Sequence, residues 1–382
     1  MAELPYRRLA GFYFFYFAWL GAFAPFFSVY LKAVGLSAVE IGAVMALPAV
    51  ARMTAPHLWA WLADRSGKPM QVARATAAAG TACWLGMFAG TAFLWIGAVV
   101  FAMSFFFSAV LPLIESITLG RLGARTGDYG QIRLWGSVGY VVAVVAMGYM
   151  LDRFGISILL WVALATFVGT LALTLWIPEA APPPHPAGAE SIAHVVKRPE
   201  VIALISACAL LTAAHGPYYS FYSIHVVAHG YSKGLTGWLW ALGVICEIGI
   251  FFWLPRLFAA CTLRGILLAS FALAIVRFLA IGWGAHSLVL LLLAQTLHAA
   301  SFGSFHAAAI AIVHRLFRGR HHARGQALYG SLTYGVGGTV GSLASGYSWD
   351  RYGAGLTFTF AAAAALAGML ILWWKLKIDR ES

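Results

Sequence analysis

The second half of this chain repeats the first. Tyr129-Gly130-Gln131 followed by Trp135-Gly136-Ser137 recurs, about 195 residues later, as Arg324-Gly325-Gln326 followed by Tyr329-Gly330-Ser331. Gly148-Tyr149 and Asp152-Arg153-Phe154-Gly155 return as Gly346-Tyr347 and Asp350-Arg351-Tyr352-Gly353, and Gly35-Leu36-Ser37 finds a partner in Gly230-Tyr231-Ser232. The repeated motifs lie among apolar stretches long enough to cross about 30 Å of hydrocarbon as helices. A duplicated bundle of membrane helices is how many secondary transporters build a midplane pocket that opens to either side. Transport is therefore the first expectation.

Composition supports membrane embedding. Of 382 residues, 62% are hydrophobic and 10% charged, against roughly a quarter charged in soluble domains. The 15 Trp suit rings placed at two membrane interfaces. Apolar runs predict twelve spans, at 9–31, 37–62, 70–90, 93–119, 131–150, 155–177, 199–226, 236–257, 264–283, 286–316, 326–347 and 354–374. The first run is too long for a cleavable leader and passes directly into the second span. Cys83, Cys208, Cys246 and Cys261 have neither metal-like spacing nor the pattern of a disulfide framework.

Basic residues set the expected orientation. Arg7, Arg8, Arg65, Lys68, Arg74, Arg125, Arg315 and Arg324 are among many that fall on one set of loops and tails, while Lys32, Arg153, Lys233 and Arg351 fall on the other. The crowded side is the cytoplasm by the positive-inside rule. This predicts a multi-pass membrane protein with both termini cytoplasmic. The net charge of +12 then reports topology and not a nucleic-acid partner.

Residues 178–198, with Pro182-Pro183-Pro184 and Pro186, break the helical pattern. The expected organisation is an N-terminal six-helix bundle at 1–177, a cytoplasmic connector at 178–198 and a C-terminal six-helix bundle at 199–382. This is an all-α integral membrane protein with two pseudo-symmetric halves. Ala60-x-x-x-Asp64-Arg65-x-Gly67-Lys68 resembles the loop motif of the major facilitator superfamily, with alanine at its first glycine; the second-half copy near Leu254–Arg264 lacks the aspartate. Asp64, Arg65 and Lys68 are read as gating residues, against the plainer reading of a solvated turn.

Ionisable residues remain inside the spans, where an unpaired charge is costly. Glu115 and Arg133 lie on consecutive antiparallel helices at similar depth and are expected to pair in the cavity or structurally, with Pro112 loosening the helix beside Glu115. Arg52 and Glu247 occupy corresponding positions in the two repeats and are candidates for a central pair, with Glu247 as proton carrier. His298 and His306 share a helix face that Arg277 can approach, which suggests a proton relay or substrate contact; the bland alternative is satisfied core histidines. His215-Gly216-Pro217-Tyr218-Tyr219 predicts a break in the seventh span. Tyr16, Tyr140, Tyr218 and Tyr219 could offer flat faces with polar edges to a ring. The expected substrate-binding set is Arg52, Glu115, Arg133, Tyr140, His215, Tyr218 and Tyr219; the proton-coupling set is Glu247, Arg277, His298 and His306. No metal site, cofactor, Walker loop or hydrolytic triad is expected.

Two further resemblances follow from these residues. Phe14-Phe15-Tyr16-Phe17 through Pro25-Phe26-Phe27, Pro112-x-x-Glu115, and Gly130-x-x-Arg133 through Tyr140 resemble the lactose permease family, as do Arg277 and Leu297-His298. Ser301 stands where that family has a proton-carrying glutamate, and His215 and Tyr218 replace two aspartates. Tyr30-Leu31-Lys32-x-x-Gly35-Leu36-Ser37, Val50-Ala51-Arg52, Ala214-His215-x-x-Tyr218-Tyr219 and Leu239-Trp240-x-Leu242-Gly243-Val244-x-x-Glu247 resemble the bacterial phenylpropionic acid permease group. That resemblance implies a proton-linked importer in the bacterial inner membrane for a small organic solute such as an aromatic carboxylate, with coupling at Glu247; because one chain contains both halves of the pathway, it is expected to act as a monomer among lipids. Sugar or nucleoside symport, proton-antiport efflux and a non-transporting receptor are the alternatives.

Overall fold

The computed structural model describes residues 5–123, 128–179 and 193–376. Most of the predicted connector, including Pro182, Pro183, Pro184 and Pro186, lies outside that set, as does Arg125. Among the described residues there is helix and no strand. The helices are α1 (Tyr6–Phe23), α2 (Phe27–Ala33), α3 (Ala38–Ser66), α4 (Pro69–Leu85), α5 (Phe93–Phe107), α6 (Val110–Leu122), α7 (Tyr129–Phe154) and α8 (Ile158–Trp176). After the short α9 (Ala193–Val196) come α10 (Pro199–Ala214), α11 (Gly216–Ala228), α12 (Lys233–Ala260), α13 (Leu263–Gly284), α14 (Leu288–His298), α15 (Phe305–Leu316), α16 (His322–Gly330) and α17 (Gly338–Lys375). Wide π turns at Ala299–Ser304 and Ser331–Gly337 join α14 to α15 and α16 to α17.

The breaks have local causes. Pro112 cannot donate to the carbonyl four residues back and clashes with it, and the fourth span divides at Ser108–Ala109. Pro217 sits at the start of α11, just after the division at His215. At the head of α3, Ser37 and Glu40 form a reciprocal capping box: Glu40 Oε2 accepts from Ser37 N at 2.9 Å, and Ser37 Oγ accepts from Glu40 N at 3.3 Å. The glycines that close the repeated Asp-Arg motif are turn residues. Gly155 and Gly353 share φ/ψ of 82°/178° and 76°/179°, a region open essentially to glycine alone. The Asp-Arg-(Phe/Tyr)-Gly repeat is thus a duplicated turn.

Ten helical segments among the described residues are long and apolar enough to cross a membrane. The difference from twelve has two sources. The segment Arg324–Lys375 has 52 residues and bends at Gly353; at 1.5 Å per residue it exceeds twice the hydrocarbon thickness. Pro69–Leu85, the expected third span, has only 17 residues.

The chain divides into two compact units: Met1–Leu36, Val50–His185 and Ser232–Trp238 in one, and Ser37–Ala49, Pro186–Tyr231 and Leu239–Ser382 in the other. In the first unit α1 packs on α7 and α8, and α4 on α5 and α8. Its core is aromatic: Tyr16 stacks on Phe107 at 5.1 Å, and Trp19, Phe107 and Phe167 close a cluster with Trp84, whose indole donates to Leu160 O. Gly21 lets α1 approach α7 so closely that a Cβ there would lie 2.5 Å from Tyr140 O. Asp152 accepts from the N–H groups of Lys233 and Gly234 at 3.0 and 2.7 Å, capping the head of α12. In the second unit α17 packs against α10, α11 and α13.

Candidate transport sites

In the first unit a polar cluster forms around Glu115 and Arg133. Glu115 on α6 and Arg133 on α7 meet, with Nε 3.8 Å from Oε1 and each side chain 33% exposed. Tyr129, one helical turn before Arg133, donates its hydroxyl to the same Oε1 at 2.9 Å. The Arg133 guanidinium lies 3.8 Å from the centre of the Phe17 ring and 5.8 Å from that of Tyr13, so the cation is held by aromatic faces as much as by the carboxylate. Arg52 is exposed on α3, within electrostatic range of the half-buried Tyr16. Tyr140 is half-buried on α7.

The second cluster is drier and centres on Arg277, whose side chain has no exposed surface. Its Nε donates to Ala294 O at 3.1 Å and its Nη1 to Ser301 Oγ at 3.3 Å, while Nη1 lies 3.5 Å from His215 Nε2. The guanidinium stands 4.1 Å from the Tyr218 ring centre. His215, at the α10–α11 division, points Nδ1 at Leu211 O, 2.8 Å away. Tyr218 donates to Gln295 Oε1 at 3.0 Å, and Tyr219 packs edge-on against Tyr218. Glu247 of α12 faces His298, Oε2 to Nε2, at 3.8 Å.

His298 and His306 do share a face, with Phe302 between them: the three rings lie parallel, 5.3 and 6.3 Å apart. Arg277 reaches this helix at Ala294 and Ser301, while His306 pairs with the Tyr334 hydroxyl at 2.7 Å. Arg52 belongs to the first unit and Glu247 to the second. Asp64 borders a cavity of about 220 Å³ with Pro56, Trp59, Pro69, Pro112 and Ser116. Arg65 leans over Trp61 at 5.5 Å, and Gly67 makes the turn before Lys68 with φ 64°.

Residues 6–360 match the model of the MFS_1 like family, nearly the whole chain. The chain belongs to that family. A protein of Escherichia coli (strain K12) described as a "probable 3-phenylpropionic acid transporter" is 31% identical over 373 residues, covering 96% of each chain. The maltose permease of Geobacillus stearothermophilus is 28% identical, covering 97% of this chain and 94% of its own. Among solved structures, a nucleoside transporter NupG (D323A mutant) superposes with a TM-score of 0.88 at 18% identity, over 98% of this chain and all of its own; that likeness concerns the fold. This MFS_1 like protein is accordingly a multi-pass membrane transporter and not an enzyme.

Sequence reading missed three partners. Tyr129 was visible only as part of the repeat, although it sits four residues before Arg133. Gln295 carries no charge and so escaped a search for ionisable groups, yet it precedes His298 by three residues and shares its face. Tyr334 lies in a π turn, which no helical periodicity predicts.

Proposed function

We propose that the protein imports a small organic carboxylate together with protons by alternating access, across a bacterial inner membrane with both termini cytoplasmic. The observation that carries this reading is the Glu247–His298 pair. A carboxylate 18% exposed faces an imidazole 7% exposed at 3.8 Å, in a cluster that also holds a wholly buried arginine. A carboxylate so placed can exchange its proton when access opens, and its charge state governs the net charge of the cluster. Arginines for an anion and tyrosines for a ring favour an aromatic acid, as does the likeness to the phenylpropionic acid transporter. The two halves, 1–177 and 199–382, would move about the connector, with Asp64, Arg65 and Lys68 at the gate; one chain supplies both.

A second reading, symport of a neutral sugar or nucleoside, draws on the first cluster. Glu115, Tyr129 and Arg133 offer hydroxyl-binding groups beside aromatic faces, and relatives include a maltose permease. The deciding experiment is uptake of radiolabelled 3-phenylpropionate into proteoliposomes with and without an inward proton gradient, for wild type and Glu247→Gln. Accumulation that needs the gradient and fails in the variant is expected. Accumulation by the variant equal to wild type removes Glu247 from coupling, and no uptake by folded wild type rejects the aromatic acid.

A further inference from the structure

We propose that Arg277 and Gln295 together form a carboxylate-binding subsite within the second unit. This rests on the reading of Glu247 as the group that takes up the proton. Three side-chain nitrogens around Tyr218 have no hydrogen-bond partner: Arg277 Nη2, Gln295 Nε2 and His298 Nδ1. All three residues are more than nine-tenths buried. Buried polar groups in folded proteins are nearly always paired, and a donor left unmade away from water is costly. Arg277 Nη2 and Gln295 Nε2 are N–H donors, so these two groups lack an acceptor.

The two donors are close along the framework. Arg277 is tied through Nε to the carbonyl of Ala294, the residue before Gln295. Gln295 is oriented by the Tyr218 hydroxyl, which takes up its Oε1 and leaves Nε2 as the free end. The face of Tyr218 also carries the guanidinium. Gly243 of α12 passes over this place without a side chain: a Cβ there would stand 3.2 Å from His298 Cδ2 and 3.3 Å from Gln295 Oε1.

Charge selects the ligand class. Arg277 takes part in none of the ion pairs among the described residues, and the nearest acid of the cluster is engaged with His298. With Glu247 ionised the cluster is neutral; with Glu247 protonated it carries one positive charge and two unsatisfied donors. A carboxylate supplies one negative charge and two acceptor oxygens, and a guanidinium binds it through parallel N–H groups. Solvent does not reach the donors in this conformation, so the ligand enters when the helices part.

The test uses the full-length protein in nanodiscs with 3-phenylpropionate and its neutral isostere 3-phenylpropanamide, read by direct binding and by thermal protection. Wild type is expected to bind the acid in preference to the amide. Gln295→Met removes one charge-assisted bond and should weaken the acid by about tenfold while leaving the amide within about twofold. Tyr218→Phe, which keeps the ring but frees Gln295, should weaken the acid by a smaller factor and serves if Gln295→Met does not fold. If wild type does not distinguish acid from amide, or if folded Gln295→Met keeps the full preference, the subsite is wrong and water satisfies the donors. Loss of the acid preference in Gln295→Met, with no proton-driven accumulation by wild type, would uphold the subsite and overturn the symport reading instead.

Discussion

A double-mutant cycle on Glu115 and Arg133 separates a structural pair from a working one. The perturbations are Glu115→Gln, Arg133→Gln and their combination. In the wild type the two groups approach only to 3.8 Å and each side chain is a third exposed, the regime in which ion pairs contribute about 0.2–1 kcal/mol. Glu115→Gln keeps an amide oxygen to accept from Tyr129, so that hydrogen bond survives in neutral form. Arg133→Gln also forfeits the stacking on Phe17, by about 1 kcal/mol. That loss is common to the single and double variants and cancels in the cycle. The coupling energy in stability should therefore be about 0.5 kcal/mol, measured by equilibrium unfolding in mixed micelles of sodium dodecyl sulfate and dodecyl maltoside. Uptake should tell a different story, falling at least about tenfold for each single variant, as for groups that act only together. A coupling above about 2 kcal/mol with uptake intact would show the pair to be a buried strut, and the placement of Glu115 in the pathway would be wrong.

Packing makes an opposed pair of predictions for two helical glycines. Gly21→Ala drives a methyl group to within 2.5 Å of the Tyr140 carbonyl and should destabilise by about 1–3 kcal/mol, whereas Gly120→Ala meets nothing within 4 Å and should stabilise by about 0.5–1 kcal/mol; thermal unfolding of both that moved in the same direction would refute the argument. Between the tenth and eleventh spans, His322 packs at a tilt against His314, at the end of the tenth span, with ring centres 3.4 Å apart, and partial burial together with that neighbour holds its pKa below the usual histidine value. Because the unfolded chain then binds the proton more readily, His322 supports the fold above about pH 6.5 and loses that contribution as pH falls toward the lowered value. Unfolding temperature followed from pH 7.5 to 5 should fall less steeply in His322→Asn than in wild type, and parallel profiles would show that this histidine is not the group involved.

The architecture was legible because membrane crossing demands long apolar helices and duplication leaves the same turn residues twice. Gly155 and Gly353 were found as a motif and prove to be one backbone requirement, met in both halves. The charged members of the sites were legible too, since a charge inside an apolar run stands out. What sequence did not give is the neutral framework around them. Gln295 and Tyr129 look like ordinary residues until their hydroxyl and carboxylate partners are seen. The π turn at Ala299–Ser304 also shows the limit of the i, i+4, i+8 argument: the parallel stack of His298, Phe302 and His306 survives although the helix widens between its ends. Periodicity predicted the shared face and was silent about the widening.

The two clusters carry similar residue types in different surroundings, and the difference bears on what drives transport. In the first unit an acid lies within ion-pair range of the arginine, so each charge has its opposite beside it. In the second, Arg277 takes part in no ion pair among the described residues, and Glu247 engages a histidine instead. A carboxylate entering there adds a negative charge to a dry cluster that already holds one, unless Glu247 has taken a proton. Proton and carboxylate must then favour each other's binding by the same factor. The loaded cluster carries the same net charge as the empty, unprotonated one, so the step between the two faces moves no additional charge across the membrane. Accumulation of 3-phenylpropionate should therefore follow an imposed pH gradient and ignore a potassium diffusion potential of either sign set with valinomycin. A potential that is negative inside has a cost of about 2.3 kcal/mol per charge per 100 mV, so even one uncompensated charge would change accumulation roughly fiftyfold. Accumulation that scales with the potential would mean that more or fewer than one proton accompanies each carboxylate, and the pairing of Glu247 with Arg277 as a neutral carrier would fall.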